Sequence, residues 1–159
     1  MILVVLGTEK YQFTRVLERL ENYISEFQIM ESVVVQAGFT KYESSRMKVI
    51  SFLSAIELDE LYKNARIVIA HGGTGSVVKG VKLKKSVVVI PRLKKYGEHI
   101  DDHQLELAIA FSKAGYATPW MDTDDLAQIM MRAGQFIPKD FRSGRDAILS
   151  FVESYIDSL

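Results

Sequence analysis

The sequence predicts an α/β protein with a doubly wound, mostly parallel, Rossmann-like sheet. Three observations support this fold class: apolar β-branched runs recur along the chain, amphipathic helical stretches alternate with them, and a glycine-rich turn links one such run to a helix. Strands buried on both faces are continuous apolar runs, and parallel neighbours need a helical crossover between them. The alternating order therefore favours one parallel sheet covered by helices on both sides.

The stretch 66–91 shows this arrangement most clearly. Residues 67–70 form an apolar run, residues 77–84 have helical character, and residues 87–91 form a second apolar run that ends at a proline. Between the first run and the helix lies a glycine-rich segment that contains His71, Gly72, Gly73, Thr74, Gly75 and Ser76. We expect strand, glycine loop, helix and strand here, with the two strands as parallel neighbours.

The glycine loop suggests an anion site. Three glycines in four positions would let the backbone adopt positive φ and approach a ligand closely. The first NH groups of the following helix lack intrahelical partners, which favours a bound phosphate or diphosphate. A tight turn without any ligand would need similar glycines, and the spacing matches neither the Gly-x-Gly-x-x-Gly motif nor the P-loop. Both interpretations are open from these residues alone.

The amino-terminal half predicts further βα units. We expect strands at residues 2–6, 32–36 and 49–52, and helices at residues 13–27 and 57–65. Gly7 and Thr8 directly follow the first strand. They would lie at the carboxyl edge of the sheet, where open α/β sheets bind ligands, although a plain turn accounts for them equally well.

A second polar segment, residues 92–104, follows the last long apolar run and leads into a helix. Asp101 or Asp102 could cap that helix by accepting from a free NH group of its first turn. Capping does not explain His103 and Gln104 in the same turn, and such planar donors and acceptors suit a hydroxyl-rich ligand such as a sugar. The histidines and carboxylates lack a recognised metal-ligand spacing, so no metal is expected.

The carboxyl-terminal third predicts smaller elements. Gly115 should end the preceding helix in a left-handed cap, with a short strand starting in residues 115–117. The aspartate-rich residues 122–125 should cap another helix. An apolar stripe over residues 143–159 predicts a last helix, packed either on this chain or on a partner subunit.

Composition and charge limit the number of domains and the classes of partner that this chain can have. The 159 residues, 48% of them hydrophobic, fit a single domain over residues 1–159. With 20 basic and 20 acidic residues, no net charge favours nucleic acid or an anionic membrane. The absence of cysteine is compatible with a reducing cytoplasm, and the apolar run at residues 1–6 is too short for a signal peptide or a membrane span.

The glycine segment, the long motif at residues 91–106 and the opening at residues 4–8 together resemble the donor-binding half of glycosyltransferase family 28. The resemblance covers nearly the whole chain, and the second motif is the more specific one. Within the family, the chain is most similar to the small subunit of bacterial two-component β-1,4-galactosyltransferases for capsule and exopolysaccharide. These are related to the eukaryotic two-subunit N-acetylglucosaminyltransferase of the dolichol pathway. The resemblance implies the carboxyl-terminal half of a GT-B enzyme.

The resemblance also implies a role for each motif. The donor diphosphate would be bound by Gly7, Thr8, His71, Gly72, Gly73, Thr74, Gly75 and Ser76, and the donor sugar by Glu98, His99, Asp102, His103 and Gln104. The base that activates the acceptor would lie on the other subunit, and neither a cofactor nor an essential metal is expected. Many single-chain relatives carry a ribose-binding glutamate where this chain has Lys79, which cannot accept from ribose hydroxyls.

The expected function is donor binding in a two-component transferase. A membrane-attached subunit would bind the polyprenyl-diphosphate-linked acceptor and recruit this chain to the inner face of the membrane, with UDP-galactose as donor. The isolated chain would be nearly inactive and could self-associate through its exposed apolar face. Two alternatives are a self-contained nucleotide-sugar enzyme that uses His71, His99 or His103 as acid or base, and a non-catalytic regulatory module that binds a nucleotide.

Overall fold

The computed structural model describes residues 1–143, and these residues form a single sheet with helices on both faces. The strands are β1 (Ile2–Val5), β2 (Val33–Gln36), β3 (Lys48–Ile50), β4 (Ile67–His71), β5 (Ser86–Ile90) and β6 (Thr118–Pro119). The helices are α1 (Thr14–Glu26), α2 (Ala55–Asn64), α3 (Thr74–Lys82), α4 (His103–Lys113) and α5 (Leu126–Gln135). A 3₁₀ turn, Lys94–Tyr96, lies between β5 and α4.

The six strands are arranged in the order β3-β2-β1-β4-β5-β6, and every neighbouring pair is parallel. The chain moves outward from β1 in one direction through β2 and β3, and in the other through β4, β5 and β6. The order therefore reverses between β1 and β4, where an open α/β sheet has a crevice at the carboxyl ends of its strands. The predicted Rossmann-like fold is confirmed, with a sheet that is entirely parallel within the described residues.

Helices cover both faces of the sheet, as a doubly wound fold requires. On one face, α1 and α5 pack through apolar residues such as Leu17 and Ile129. On the other face, α2, α3 and α4 pack side by side through residues such as Tyr62, Val81 and Ala108. The two hydrophobic clusters take alternate residues of β1, because successive side chains of a strand point to opposite faces.

Two element boundaries differ from the sequence prediction in ways that affect function. Helix α3 begins at Thr74 rather than at residue 77, because Gly73 has the extended backbone of an N-cap residue. Three residues assigned to the glycine loop therefore form the first turn of the helix. Strand β6 begins only at Thr118, after the predicted left-handed glycine, Gly115, at φ +75°.

The helix predicted over residues 143–159 lies, apart from its first residue, outside the described residues. Within residues 1–143, no helix is both long enough and apolar enough to cross a membrane.

Candidate functional site

Three loops meet at the carboxyl edge of the sheet around the reversal point. They follow β1, β4 and β5, and they carry the residues that the sequence predicts as ligand contacts. The first contains Gly7, the second contains Gly72 and Gly73, and the third extends over residues 91–102. The parallel topology alone brings these distant segments of sequence to one place.

The ring of His71 lies between the first two loops. A Cβ atom at Gly7 would lie 2.5 Å from His71 Nε2, and one at Gly73 would overlap the same ring. A Cβ atom at Gly72 would lie 2.7 Å from Gln104 Cβ and 2.8 Å from the Gln104 carbonyl oxygen. Glycine is therefore required at these three positions by the close approach of neighbouring groups.

The sequence-based reason for the loop glycines was wrong. We expected positive φ in the glycine loop, but none of Gly72, Gly73 and Gly75 has it, and Gly73 lies at φ −77° and ψ 125°. Positive φ at this edge of the sheet occurs instead at Gly7 (+77°), at Gly38 after β2 (+61°) and at Gly97 in the third loop (+67°). Crowding by His71 and by helix α4, rather than backbone conformation, explains the second loop.

The first turn of α3 is open towards this edge. No side chain caps the helix at Gly73, so the NH groups of Thr74, Gly75 and Ser76 have no capping partner from that residue. Thr74 and Gly75 are exposed, whereas the Ser76 carbonyl accepts from Tyr62 Oη at 3.0 Å. Exposed amides at the positive end of a helix dipole can bind an anion.

His71 is neutral at physiological pH. Burial disfavours the charged ring and lowers its pKa to about 4, and the Arg92 charge lowers the pKa further while a side-chain hydrogen bond with Gln104 opposes the shift. Its Nδ1 atom is buried without a hydrogen-bond partner in the described residues. The ring thus acts first as a spacer between the two glycine turns, with one free polar atom.

Gln104 fixes the second loop to the third. Its Oε1 atom accepts from the backbone NH of Gly72 at 3.1 Å and of Arg92 at 3.2 Å, and the residue is only 6% exposed. The predicted role at the donor sugar would therefore fall to its amide NH₂ group. Sequence reasoning identified Gln104 but not its structural task.

Arg92 is an unpredicted part of the site. It is fully buried, and its guanidinium donates to the carbonyls of Leu6, Tyr11 and Glu98 at 2.8–3.2 Å. It also lies over the Phe13 ring, 4.6 Å from the centroid. Burial lowers the Arg92 pKa to about 10, so the group is still charged and ties the first loop to the third. A single arginine after an apolar strand gives little signal in a sequence.

The remaining predicted sugar contacts differ in their availability. His103 is exposed, and His99 Nδ1 lies 2.9 Å from Asp101 Oδ1. Asp101 accepts from the His103 NH at 3.1 Å, so one predicted aspartate does satisfy an NH group of the first turn of α4. The N-cap residue itself, Asp102, makes no side-chain cap bond and accepts from the Lys94 NH at 2.9 Å instead. The last predicted contact, Glu98, is 3% exposed and has its carboxylate turned into the protein.

Lys79 is paired with groups of α2. Its ammonium forms an ion pair with Asp59 of α2 and lies 4.7 Å from the centroid of the Tyr62 ring. Among residues 1–143, no group of three His, Cys, Asp or Glu side chains could hold a metal ion. Metal independence of the reaction remains a prediction.

A six-stranded parallel sheet with glycine turns at its reversal point defines a Rossmann-like domain, and the fold matches that of GT-B glycosyltransferases. The chain belongs to the glycosyltransferase family 28 C-terminal domain family, which matches residues 1–159. It is therefore a glycosyltransferase domain, and the family expected from the two motifs is confirmed.

A curated relative and several solved structures are similar to the chain. It is 30% identical over 79 residues to the UDP-N-acetylglucosamine transferase subunit ALG13 of Candida albicans. The matched residues are 50% of this chain and 26% of the Candida protein. The solution structure of ALG13 has a TM-score of 0.58 at 16% identity and covers 94% of this chain and 93% of that one. Acinetobacter baumannii MurG also scores 0.58, at 17% identity, over 84% of this chain and 42% of that one. At these identities the structures share the fold alone, and the chain spans about a quarter of the curated relative's length.

Proposed function

We propose that this chain is the donor-binding subunit of a two-component glycosyltransferase. It would bind a UDP-sugar and, together with a membrane-attached partner, transfer the hexose to a polyprenyl-diphosphate-linked acceptor at the inner face of the membrane in surface polysaccharide synthesis. Galactose is the proposed sugar. N-acetylglucosamine, which the curated fungal relative has in its name, is the first competitor to test.

The observation that carries the proposal is the uncapped first turn of α3 beside two crowded glycine turns. A diphosphate seated there would accept from the amides of Thr74, Gly75 and Ser76, and it could approach closely because Gly7 and Gly73 lack side chains. The neutral His71 ring adds no charge of its own. The amides and hydroxyls of this turn would stabilise the negative charge that develops on the leaving diphosphate during transfer.

The donor sugar would lie on the α4 side of this turn. We assign the sugar to His99, Asp102, His103 and the amide of Gln104, because Gln104 is already joined to the second loop through the Gly72 NH. These groups supply the planar donors and acceptors that sugar hydroxyls need. The base for the acceptor hydroxyl is assigned to the partner, so the chain alone should bind donor without turning it over.

Calorimetric titration of the full chain with UDP, UDP-galactose, UDP-N-acetylglucosamine and UMP tests the proposal. We expect UDP species to bind and UMP to bind at least about tenfold more weakly, because one phosphate contact of the turn is lost. Gly73→Ala should weaken UDP and UDP-sugars alike, whereas Gln104→Ala should weaken UDP-sugars more than UDP. The control Gly134→Ala alters an exposed glycine of α5 that has no positive φ and only an ordinary contact at its Cβ position, 3.6 Å from Arg66 Nη1.

Equal affinity for UMP and UDP would contradict the diphosphate seat, and turnover by the isolated chain would contradict the assignment of the base to a partner. If no nucleotide binds, the titration is repeated with the co-expressed partner. Absence of binding there as well would overturn the proposed function.

A further inference from the structure

Arg15, in the first turn of α1, bonds to two separate loops at the carboxyl edge of the sheet. Its Nε and Nη2 atoms donate to the two carboxylate oxygens of Glu98 at 2.9 and 2.8 Å. Nη2 also donates to the Pro91 carbonyl at 3.2 Å, and Nη1 to Asp122 Oδ1 at 3.3 Å. One side chain therefore connects α1, the loop after β5 and the loop after β6.

Glu98 receives these bonds from inside the third loop. Its side chain is 4% exposed, and its Oε2 atom also accepts from the backbone NH of Leu93 at 3.0 Å. The carboxylate thus closes the loop on itself while the arginine holds it against α1. A fork-to-fork ion pair of this kind fixes direction as well as distance, because both partners are planar.

A second set of contacts surrounds the pair. Asp122 accepts from Lys95 Nζ at 2.6 Å and from Tyr96 Oη at 2.9 Å, and Arg15 lies 4.9 Å from the centroid of the Tyr96 ring. Hydrogen bonds from these neighbours, with Lys95 first, lower the Asp122 pKa. Asp122 therefore holds the second and third residues of the 3₁₀ turn, Lys95 and Tyr96.

The pair also lines an open cleft of about 530 Å³ between the loops that follow β1 and β5. Residues 99–104, which carry the proposed sugar contacts, continue directly from Glu98. Any tilt of the segment 93–98 would displace His99 and Asp102 relative to the first turn of α3. A displacement of about 1 Å in a substrate-positioning element can change rates by orders of magnitude.

We propose that Arg15 and Glu98 are positioning residues that hold the third loop in its sugar-binding form without contacting the sugar themselves. This inference rests on the proposed function and deepens it. It also reassigns Glu98 from a sugar ligand to the support of the sugar ligands. The diphosphate seat on α3 depends on other residues, so loss of the pair should separate sugar recognition from nucleotide recognition.

The chain contains a matched control. Arg66 donates through Nε and Nη2 to the two carboxylate oxygens of Glu31 at 3.1 and 2.6 Å, with the same bidentate geometry. This pair lies at the opposite edge of the sheet, because Arg66 precedes β4 and Glu31 precedes β2. Its side chains are more exposed than those of Arg15 and Glu98, so it reports the loss of a bidentate pair remote from the site, at a smaller cost to the fold.

The experiment compares Arg15→Lys and Glu98→Gln with Arg66→Lys and Glu31→Gln. Each full-length variant is titrated with UDP and with the UDP-sugar that the unmodified chain binds best, and its melting temperature is measured. Hydrogen exchange of the amides of residues 93–102 reports the order of the loop. A lysine keeps the charge but cannot serve both Glu98 oxygens and the Pro91 carbonyl at once.

We expect Arg15→Lys and Glu98→Gln to weaken UDP-sugar binding about tenfold while UDP affinity changes by less than about threefold. Exchange in residues 93–102 should accelerate in both variants. The two control variants should lower the melting temperature without altering either affinity or the exchange of that loop. If one variant does not fold, Arg15→Met/Glu98→Gln leaves no unpaired buried charge and takes its place.

Several results would overturn the inference. Unchanged UDP-sugar affinity in the Arg15 and Glu98 variants would contradict it while leaving the proposed function intact. An equal loss of UDP and UDP-sugar binding would show that the pair acts on the fold as a whole. If the unmodified chain and its complex with the partner bind no UDP species, the proposed function fails first and the inference fails with it.

Discussion

The glycine turns after β1 and β4 face each other across the reversal point, yet they need glycine for different reasons. Gly7 has φ +77°, a left-handed conformation that side-chain-bearing residues rarely adopt. Gly72 and Gly73 have no positive φ and are instead crowded by Gln104 and His71. Both turns are crowded, but only Gly7 has a backbone requirement for glycine in addition to the steric one.

The ring of His71 connects these two requirements. It lies against the Cβ positions of both Gly7 and Gly73, so it would be a steric obstacle to alanine at either position. Removing the ring would relieve the crowding but could not change the φ angle of Gly7. The difference between the turns can therefore be tested by substitutions with and without the ring.

The largest effect is expected at Gly72. Alanine there would meet the Cβ atom and the carbonyl oxygen of Gln104, and the second of these belongs to the backbone of α4 and cannot rotate away. We expect Gly72→Ala to lower the free energy of unfolding by about 3 kcal/mol, the upper range for overpacking, and to abolish UDP binding. Urea denaturation and calorimetry measure the two effects. A variant with unaltered stability would contradict the crowding described for this turn.

The next effect concerns the protonation of His71. Its pKa is about 4 in the folded chain and about 6.5 when unfolded, so the unfolded chain binds more protons between these values. Stability should therefore be lost as pH falls from about 6.5 towards 4, by about 2 kcal/mol between pH 7 and pH 5. No contribution of this kind is expected above pH 7, where both states are neutral.

Urea midpoints at pH 7 and pH 5 provide the measurement, with His71→Gln as the control because glutamine does not titrate. In that variant, the difference between the free energies of unfolding at pH 7 and at pH 5 should be smaller by about 2 kcal/mol. The carboxylate of Glu31, whose pKa is lowered to about 2 chiefly by its hydrogen bond to Arg66, changes protonation below this window. An equal pH dependence in both proteins would rule out a buried neutral ring.

The fold could be predicted from the sequence because burial leaves a periodic signal. The apolar runs at residues 67–70 and 87–91 became neighbouring parallel strands, β4 and β5, and the amphipathic segments became the helices between strands. Strand exits of a parallel sheet meet at one edge, so the three loops of the site were also predictable. These features depend only on residue type and order.

Side-chain directions at the site were not predictable in the same way. Glu98 belongs to a polar loop by its sequence, but Arg15, 83 positions away, draws it inward. Arg92 is buried because three carbonyls from separate segments converge on it. The φ angles of the glycines likewise depend on what surrounds each turn. Long-range partners decide these properties, and no local pattern records them.

A double substitution compares the two turns directly. Gly7→Ala and Gly73→Ala should each destabilise the chain by about 1–2 kcal/mol, the first through backbone strain with crowding and the second through crowding alone. In a His71→Ala background, the effect of Gly73→Ala should largely disappear, whereas Gly7→Ala should still cost about 1 kcal/mol. Urea denaturation of the double variants measures both values. Equal relief at the two positions would mean that the φ angle of Gly7 carries no strain.

The smallest effect on stability is expected at Gly75, which has neither the positive φ of Gly7 nor the crowding of Gly72 and Gly73. Nothing lies within 4 Å of its Cβ position, and the residue is in the first turn of α3 with an ordinary helical backbone. Gly75→Ala should stabilise the chain by about 0.5 kcal/mol, because alanine loses less conformational freedom on folding. The open space is the place where we propose that the diphosphate lies, so the added methyl group should weaken UDP binding severalfold. A more stable variant that binds UDP more weakly would indicate that the absence of a side chain at Gly75 serves ligand binding. Unchanged UDP affinity would place the diphosphate elsewhere on the turn.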